Sequence, residues 1–267
     1  MSAAMSAPDV ASGLFVRDEG AGPPVVLVHA GVADGRMWQP QIDALSGRYR
    51  LIVPDLRGFG RTPTLAHSFS HAEDLHGIAT RLGIGPATWV GCSMGGTAVL
   101  DLALTRPDTM SGLVLVDCVP SGQKITDPIT RAGWEAADEA FAAGDPRKAA
   151  EIEMEMWLVG PARANDDVPR HLQELVTAMV LDSYEHADAE EIDPAQPAID
   201  QLSDIAVPTL VVVGEYDQLP FRQAASLLAE QIPGATLEIV KDAAHLPSLE
   251  QPQQFNALLT GFLPSAL

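Results

Sequence analysis

The sequence reads Thr88-Trp89-Val90-Gly91-Cys92-Ser93-Met94-Gly95-Gly96 where a short apolar run meets a long apolar segment, residues 94–104. The run before Gly91 has the composition of a buried strand, and segment 94–104 is apolar almost all round, as in a helix packed on a sheet. A Gly-x-Ser-x-Gly sequence between a strand and a helix is typical of a tight turn that strains the serine backbone. Glycines are needed there because a Cβ atom on either side would clash. The sequence therefore predicts an exposed Ser93 hydroxyl at a helix N-terminus, where negative charge is favoured.

Short β-branched runs recur along the chain, and helical patterns separate them. Continuously apolar runs, which are typical of parallel strands covered on both faces, occur at residues 25–28, 51–53, 88–90, 113–116 and 210–213. The run Leu237-Glu238-Ile239-Val240 alternates and indicates an edge strand. Strands that alternate with helices predict an α/β protein whose mostly parallel, doubly wound sheet carries helices on both faces.

Residues 121–200 break this alternation because they contain no β-like run. They carry three helical patterns, near residues 128–143, 146–158 and 169–186, with Gly-Pro joints between them. We therefore predict three regions. Residues 1–120 form the first part of an α/β core, residues 121–200 form a helical insertion between two core strands, and residues 201–267 form the second part of the core.

Composition and charge exclude several classes of protein. The 267 residues carry a net charge of −20, which repels nucleic-acid phosphates and anionic lipids, so we expect neither a nucleic-acid partner nor a membrane partner. The two cysteines, Cys92 and Cys118, are too few for a disulfide framework and lack metal-ligand spacing. No segment approaches the roughly 18 apolar residues of a membrane span. We expect a cytoplasmic protein, monomeric or homodimeric, that needs no metal and no cofactor.

A serine hydroxyl needs a general base before it can act as a nucleophile, and His245 fits that role best. It follows the last predicted strand, near the C-terminal edge of the sheet. The base in turn needs a carboxylate to orient it and to stabilise its cation. Asp217 follows strand 210–213 at the same edge, Asp117 after another strand is the main alternative, and Glu215 is a lesser one. We favour Asp217 because the chain order Ser…Asp…His is the one described for this serine turn.

Acyl transfer at such a site also requires N–H donors that hold the oxyanion of the tetrahedral intermediate. One donor is expected to be the backbone N–H of Met94, the residue after the serine. The other is expected from the loop after the first buried strand, His29-Ala30-Gly31-Val32-Ala33-Asp34. Within that loop we favour Gly31, with Val32 as the alternative.

These motifs, in this order, resemble the serine-nucleophile branch of the α/β-hydrolase family. Within it, the chain resembles bacterial members such as 3-oxoadipate enol-lactone hydrolases, small carboxylesterases and cofactor-free haloperoxidases. The matching pieces span nearly the whole core: Val28-His29 with Trp38, Pro54-Asp55-Leu56-Arg57-Gly58-Phe59-Gly60, the segment 91–96, Val207-Pro208-Thr209 leading to Asp217, and Ala244-His245 with Glu250-Gln251-Pro252. The resemblance implies that residues 121–200 form a cap over the active site.

The sequence departs from the family pattern in the loop after the first buried strand, where Asp34 also stands in place of a common serine, and its nucleophile position argues against two branches of the family. The family usually has His-Gly where this chain has His29-Ala30, with a glycine one position later. Haloalkane dehalogenases and epoxide hydrolases resemble this core but carry an aspartate at the nucleophile position. Ser93 argues against both activities.

Candidate pocket residues indicate the kind of substrate. Methionine thioethers suit an apolar acyl or ring group, and the residues expected to line the pocket are Val32, Trp38, Met154, Trp157 and Leu246. No arginine cluster marks a site for a carboxylate or for coenzyme A. We expect hydrolysis of a small to medium, mainly apolar ester or lactone through an acyl-enzyme. The alternatives are perhydrolysis, C–C hydrolysis or acyl transfer by the same triad, or a slow-turnover ligand receptor or sensor.

Overall fold

The computed structural model describes residues 13–64, 68–186 and 190–266, without the side chains of 264–266. Seven strands in these ranges form one sheet: β1 (Val16–Glu19), β2 (Pro24–Val28), β3 (Arg50–Pro54), β4 (Ala87–Cys92), β5 (Met110–Val116), β6 (Thr209–Gly214) and β7 (Thr236–Val240). Their order is β1-β3-β2-β4-β5-β6-β7. Strand β1 is antiparallel to β3 and all other neighbours are parallel. The predicted α/β fold with a mostly parallel sheet is confirmed.

Helices cover both faces of this sheet. They are α1 (Gln39–Leu45), α2 (His71–Arg81), α3 (Met94–Thr105), α4 (Pro128–Ala142), α5 (Pro146–Met154), α6 (Arg170–Ser183), α7 (Leu219–Gln231), α8 (Pro247–Glu250) and α9 (Pro252–Ala266). Successive strand residues point to opposite faces, so Val25 joins a hydrophobic cluster with Phe255 of α9, whereas Val26 joins another with Leu100 of α3. None of the helices in the described ranges has the length and hydrophobicity needed to cross a lipid bilayer.

The chain between β5 and β6 holds α4, α5 and α6. The second helical pattern of this region is not one regular helix, because α5 ends at Met154 and Glu155–Val159 continues as a π-helix. Such wider turns are rare and frequently occur at functional sites. The assignment of residues 121–200 as a cap stays a prediction.

Strand β1 lies at one edge of the sheet and was not predicted from the sequence pattern. Three of its four residues are charged, and only Val16 is buried. Its pairing is carried by the backbone ladder with β3 and by an ion pair between Asp18 and Arg50. A strand with one buried side chain shows too little hydrophobic alternation to be recognised. At the opposite edge, β7 is largely exposed, as its alternating sequence predicted.

Candidate active site

Ser93 lies in the turn between β4 and α3 with φ +51° and ψ −119°. Its backbone N–H donates a hydrogen bond to the carbonyl of Val116 at 2.8 Å, and the residue is half-buried. The glycines around it are sterically required, because a Cβ on Gly95 would lie 2.7 Å from the Val28 carbonyl oxygen. A Cβ on Gly91 would clash with the backbone of Gly95. The local sequence thus forces the serine into a sharp, strained turn.

His245 and Asp217 form a buried hydrogen-bonded pair. His245 Nδ1 lies 2.9 Å from Asp217 Oδ1 and 3.0 Å from Oδ2, and both residues are almost completely buried. Because Nδ1 faces a carboxylate, it carries the proton, and the lone pair of Nε2 is left to accept one. Cys92 links this pair to the serine turn, since its Sγ lies 3.6 Å from the His245 carbonyl oxygen. The structure therefore brings together residues that are far apart in sequence.

Asp117, the alternative acid, lies beside this pair. It is 1% exposed, has φ +43°, and its Oδ1 accepts a hydrogen bond from Gly214 N–H at 2.8 Å. Burial, and then the charge of Asp217, raise the pKa of Asp117 well above its ordinary value. Glu215, the lesser alternative, accepts a hydrogen bond from Asp242 N–H in an exposed turn.

Within the described part of the chain, the residues best placed to hold a metal ion are Asp117, Asp217 and His245. The side-chain ligand atoms of Asp117, Asp217 and His245 lie within 4.8 Å of one another. Hydrogen bonds already engage them, because Asp217 accepts from His245 Nδ1 and from Gln218 N–H. The geometry favours a hydrogen-bonded charge cluster over a set of metal ligands.

Glu250 holds the loop that carries His245. Its Oε1 accepts hydrogen bonds from the N–H groups of Ala244 and Leu246, at 3.0 and 3.1 Å, on either side of the histidine. Arg163 pairs with the same carboxylate. Burial raises the pKa of Glu250, and the guanidinium of Arg163 acts in the opposite direction. This pair fixes the loop and, through it, the position of the imidazole.

Aromatic side chains cover the imidazole of His245. Its ring centroid lies 4.5 Å from that of Trp157 and 4.7 Å from that of Phe221, the latter edge-on. The backbone N–H of His245 donates to the Trp157 carbonyl at 3.2 Å. The Trp157 indole N–H in turn donates to Glu153 at 2.6 Å, and burial raises the pKa of this glutamate. The π-helix is thus in direct contact with the histidine.

The two expected oxyanion donors lie close to each other. Met94 is the first residue of α3, so its N–H has no acceptor within the helix. A Cβ built on Gly31 would lie 3.6 Å from the Cβ of Met94, which places the loop after β2 against the serine turn. His29 orders this loop, because its Nε2 accepts from Leu56 N–H at 2.8 Å and its Nδ1 donates to the Ala30 carbonyl at 2.9 Å. Whether Gly31 or Val32 supplies the second donor stays a prediction.

The expected pocket residues occupy different environments. Trp38 is completely buried and packs against Phe255 in the core, with ring centroids 6.0 Å apart. Trp157 lies on the imidazole, and Val32 is half-buried in the loop after β2. Met154 and Leu246 are buried in the same hydrophobic cluster as Trp38. Their contact with substrate stays a prediction.

Sequence reasoning assigned no role to Glu250, Arg163 or Phe221. Glu250 appeared only as part of a matching motif, and the sequence pattern singled out neither Arg163 nor Phe221. Spacing alone contains no signal for these contacts, because they join three separate segments of the chain.

Comparison with known proteins places this architecture among hydrolases. A family model described as alpha/beta hydrolase fold matches residues 23–252. A pimeloyl-[acyl-carrier protein] methyl ester esterase from Vibrio atlanticus is 30% identical over 261 residues, covering 93% of this chain and 97% of the relative. The 3-oxoadipate enol-lactonase 1 of Acinetobacter baylyi is 26% identical over 246 residues, covering 91% and 89%. A thermophilic esterase structure from Thermogutta terrifontis superposes with a TM-score of 0.76 at 26% identity, covering 95% and 93%. The resemblance seen in the sequence is confirmed.

Proposed function

Because this chain belongs to the alpha/beta hydrolase fold family, whose members similar to it include esterases and a lactonase, we propose that it hydrolyses carboxylic esters or lactones through a serine acyl-enzyme. The observation that carries the proposal is the strained Ser93 turn at the start of α3 together with the buried His245–Asp217 pair, which the contact of Cys92 Sγ with the His245 carbonyl oxygen joins to that turn. A nucleophile, a base and an acid in this arrangement are the parts that acyl transfer needs.

The proposed reaction assigns one role to each group. Ser93 Oγ attacks the carbonyl carbon while His245 Nε2 takes its proton. Asp217 holds the imidazole through Nδ1 and stabilises the cation that forms. The N–H groups of Met94 and Gly31 hold the oxyanion at the N-terminus of α3. His245 then protonates the leaving alcohol, and water hydrolyses the acyl-enzyme by the reverse proton transfers.

The charges around the site favour an uncharged substrate. The chain carries a net charge of −20, which disfavours anionic substrates at a distance. Three arginines that could bind a substrate carboxylate already have carboxylate partners, because Arg36 pairs with Asp34, Arg57 with Asp74, and Arg163 with Glu250. We therefore propose a small to medium, mainly apolar ester or lactone.

The experiment is hydrolysis of p-nitrophenyl esters from acetate to decanoate, beside γ- and δ-lactones, by wild type and Ser93→Ala. We expect a clear chain-length optimum and a fall in kcat of several orders of magnitude in the variant, with unchanged thermal unfolding. A variant with near wild-type rates would refute the serine mechanism. A folded wild type that binds esters without turnover would favour the receptor alternative.

The acceptor of the acyl group is a separate question, because the fold fixes the triad and not the acceptor. Product analysis with hydrogen peroxide or a second alcohol present distinguishes hydrolysis from perhydrolysis and acyl transfer. The cytoplasmic location and the monomeric or homodimeric state stay predictions.

A further inference from the structure

Asp117 is a buried carboxyl group that the proposed mechanism does not use. It follows β5, next to the loop after β6 that carries Asp217, because β5 and β6 are neighbours in the sheet. Its side chain lies within 4.8 Å of the ligand atoms of both Asp217 and His245. The position is a strained one, with φ +43°, and a residue in such a conformation needs compensating contacts.

The hydrogen bonds of Asp117 are asymmetric. Its Oδ1 accepts from the Gly214 N–H at 2.8 Å. Its Oδ2 is buried and, among the described residues, has no N–H or O–H donor. The ligand oxygens of Asp117 and Asp217 lie within 4.8 Å of each other, and two carboxyl groups can form a hydrogen bond only when one of them holds a proton.

The charges around Asp117 favour its neutral form. The titratable groups that face it are Asp217, Glu250, His245 and the thiols of Cys92 and Cys118. The charge of Glu250 is compensated by Arg163, and that of Asp217 is shared with the His245 N–H. Two carboxylates at this separation in a dry environment do not both ionise, so one of them retains its proton.

We propose that Asp117 keeps its proton at neutral pH and donates it from Oδ2 to the Asp217 carboxylate, which holds that carboxylate in place toward His245. The Asp117 O–H bond stays intact during turnover, so Asp117 is a positioning residue and not a catalytic one. The inference rests on the roles proposed above for Asp217 and His245.

Asp117→Asn is the decisive variant because it reproduces the protonated acid. Its amide oxygen can accept from Gly214 N–H, and its amide N–H can donate to Asp217. We expect kcat/KM within about threefold of wild type and an acid limb of the pH profile with an unmoved midpoint. If Asp117 were ionised, the substitution would remove a charge about 5 Å from the imidazole and lower that midpoint by about two pH units at an effective dielectric constant of about 20. A fall of one pH unit or more would overturn the proposal.

Two further variants separate positioning from packing. Asp117→Leu keeps the branching of the side chain but has larger methyl groups and cannot donate a hydrogen bond. We expect it to lower kcat at least tenfold, so that asparagine, and not leucine, preserves the rate. Asp101→Asn is the matched control, since Asp101 is another acid of raised pKa, hydrogen-bonded to Ser121 outside the site. It is expected to leave the acid limb unchanged. Equal activities of the asparagine and leucine variants would contradict the proposed hydrogen bond.

Infrared spectroscopy tests whether Asp117 is protonated, independently of any activity measurement. The probe is protein labelled with 13C at the aspartate carboxyls, measured at pH 8, where Asp101, with its pKa of about 6, is ionised. We expect a protonated-carboxyl band that is lost in Asp117→Asn and retained in Ser93→Ala. If Asp117→Asn does not fold, Asp217→Asn replaces it and is expected to displace the same band. Absence of the band in wild type, or a band that neither variant changes, overturns the proposal even if Ser93 is confirmed as the nucleophile.

Discussion

Arg163 and Glu250 form a largely buried ion pair, with 2.5 Å between Nη2 and Oε2, that connects the end of the π-helix to the loop of His245. The guanidinium also donates to the carbonyls of Leu158 and Val159, at 2.7 and 2.9 Å. Because Glu250 binds the backbone on both sides of the histidine, the pair connects the helical region between β5 and β6 with the proposed base. The ion pair therefore joins two segments of the chain that are far apart in sequence.

Removal of Arg163 is therefore expected to destabilise the protein in a pH-dependent way. Arg163→Ala leaves the Glu250 charge buried and unpaired, at a cost of about 3–5 kcal/mol of unfolding free energy. Burial raises the pKa of Glu250, and losing Arg163 raises it further. The folded protein then binds a proton that the unfolded chain releases, so stability falls as pH rises above about 4.5. Chemical denaturation at pH 5 and pH 8 measures this difference.

The matched control is Arg170→Ala, because Arg170 is 89% exposed and pairs with Glu174 on the surface of α6. Its effect is expected to stay within about 1 kcal/mol at both pH values. Equal destabilisation by Arg163→Ala at pH 5 and pH 8 would contradict the role given to Glu250.

Trp157 is expected to assist the proposed base through its aromatic face. The two rings lie 4.5 Å apart, so the indole stabilises the imidazolium that forms during acylation. Trp157→Leu should lower kcat/KM by about 2–30-fold, the equivalent of about 0.5–2 kcal/mol, and move the acid limb of the pH profile to lower pH. Trp134→Leu is the control, since Trp134 packs against Trp157, with centroids 5.9 Å apart. If the acid limb of the pH profile moved equally in both variants, the effect would come from altered packing and not from the contact of Trp157 with the imidazole.

The glycines around Ser93 are expected to differ sharply in their tolerance of a methyl group. Gly95→Ala places a Cβ 2.7 Å from the Val28 carbonyl oxygen and should lower the unfolding free energy by more than about 3 kcal/mol. Gly31→Ala meets Met94 only at 3.6 Å and keeps its N–H, so it should fold and hydrolyse esters normally. Urea titrations and rate measurements of the two variants check this contrast. A stable Gly95→Ala would show that the turn relaxes more easily than its geometry indicates.

His71 is expected to make the protein sensitive to acid. Burial lowers its pKa to about 3, against about 6.5 for an ordinary histidine, and the charges of His29 and Arg57 act in the same direction. Below pH 6.5 the unfolded chain therefore binds a proton that the folded state excludes. Each pH unit down to about 3 then removes about 1.4 kcal/mol of stability. His71→Leu should lose this slope when unfolding is measured from pH 7 to pH 4.

The control for His71 is the exposed His171 of α6. His171→Leu should follow the wild-type pH dependence, because this side chain is exposed to solvent in the folded protein as it is in the unfolded chain. Parallel curves for wild type and His71→Leu would mean that His71 binds its proton equally well in the folded and unfolded states, and would contradict this prediction.

The sequence alone was sufficient for the features that depend on near neighbours. Hydrophobic periodicity places β2 to β7, and the Gly-x-Ser-x-Gly turn follows from the steric limits of five consecutive residues. The gathering of Asp117, Asp217 and His245 at one edge of the sheet was also predictable, because polar residues that follow parallel strands meet there. Strand β1 was not predicted, because a strand with a single buried residue shows no alternation of buried and exposed side chains.

The tertiary structure decided what depends on strand order and register. Asp117 and Asp217 both follow strands, and a sequence pattern cannot show which carboxylate faces the imidazole. The parallel pairing of β5 with β6 places both acids beside His245, where Asp217 binds Nδ1 and Asp117 binds the Gly214 N–H. The contacts of Arg163 with Glu250 and of Trp157 with His245 join segments more than 80 residues apart. Side-chain distances at the ångström scale arise only when the whole core is packed, and local sequence cannot specify them.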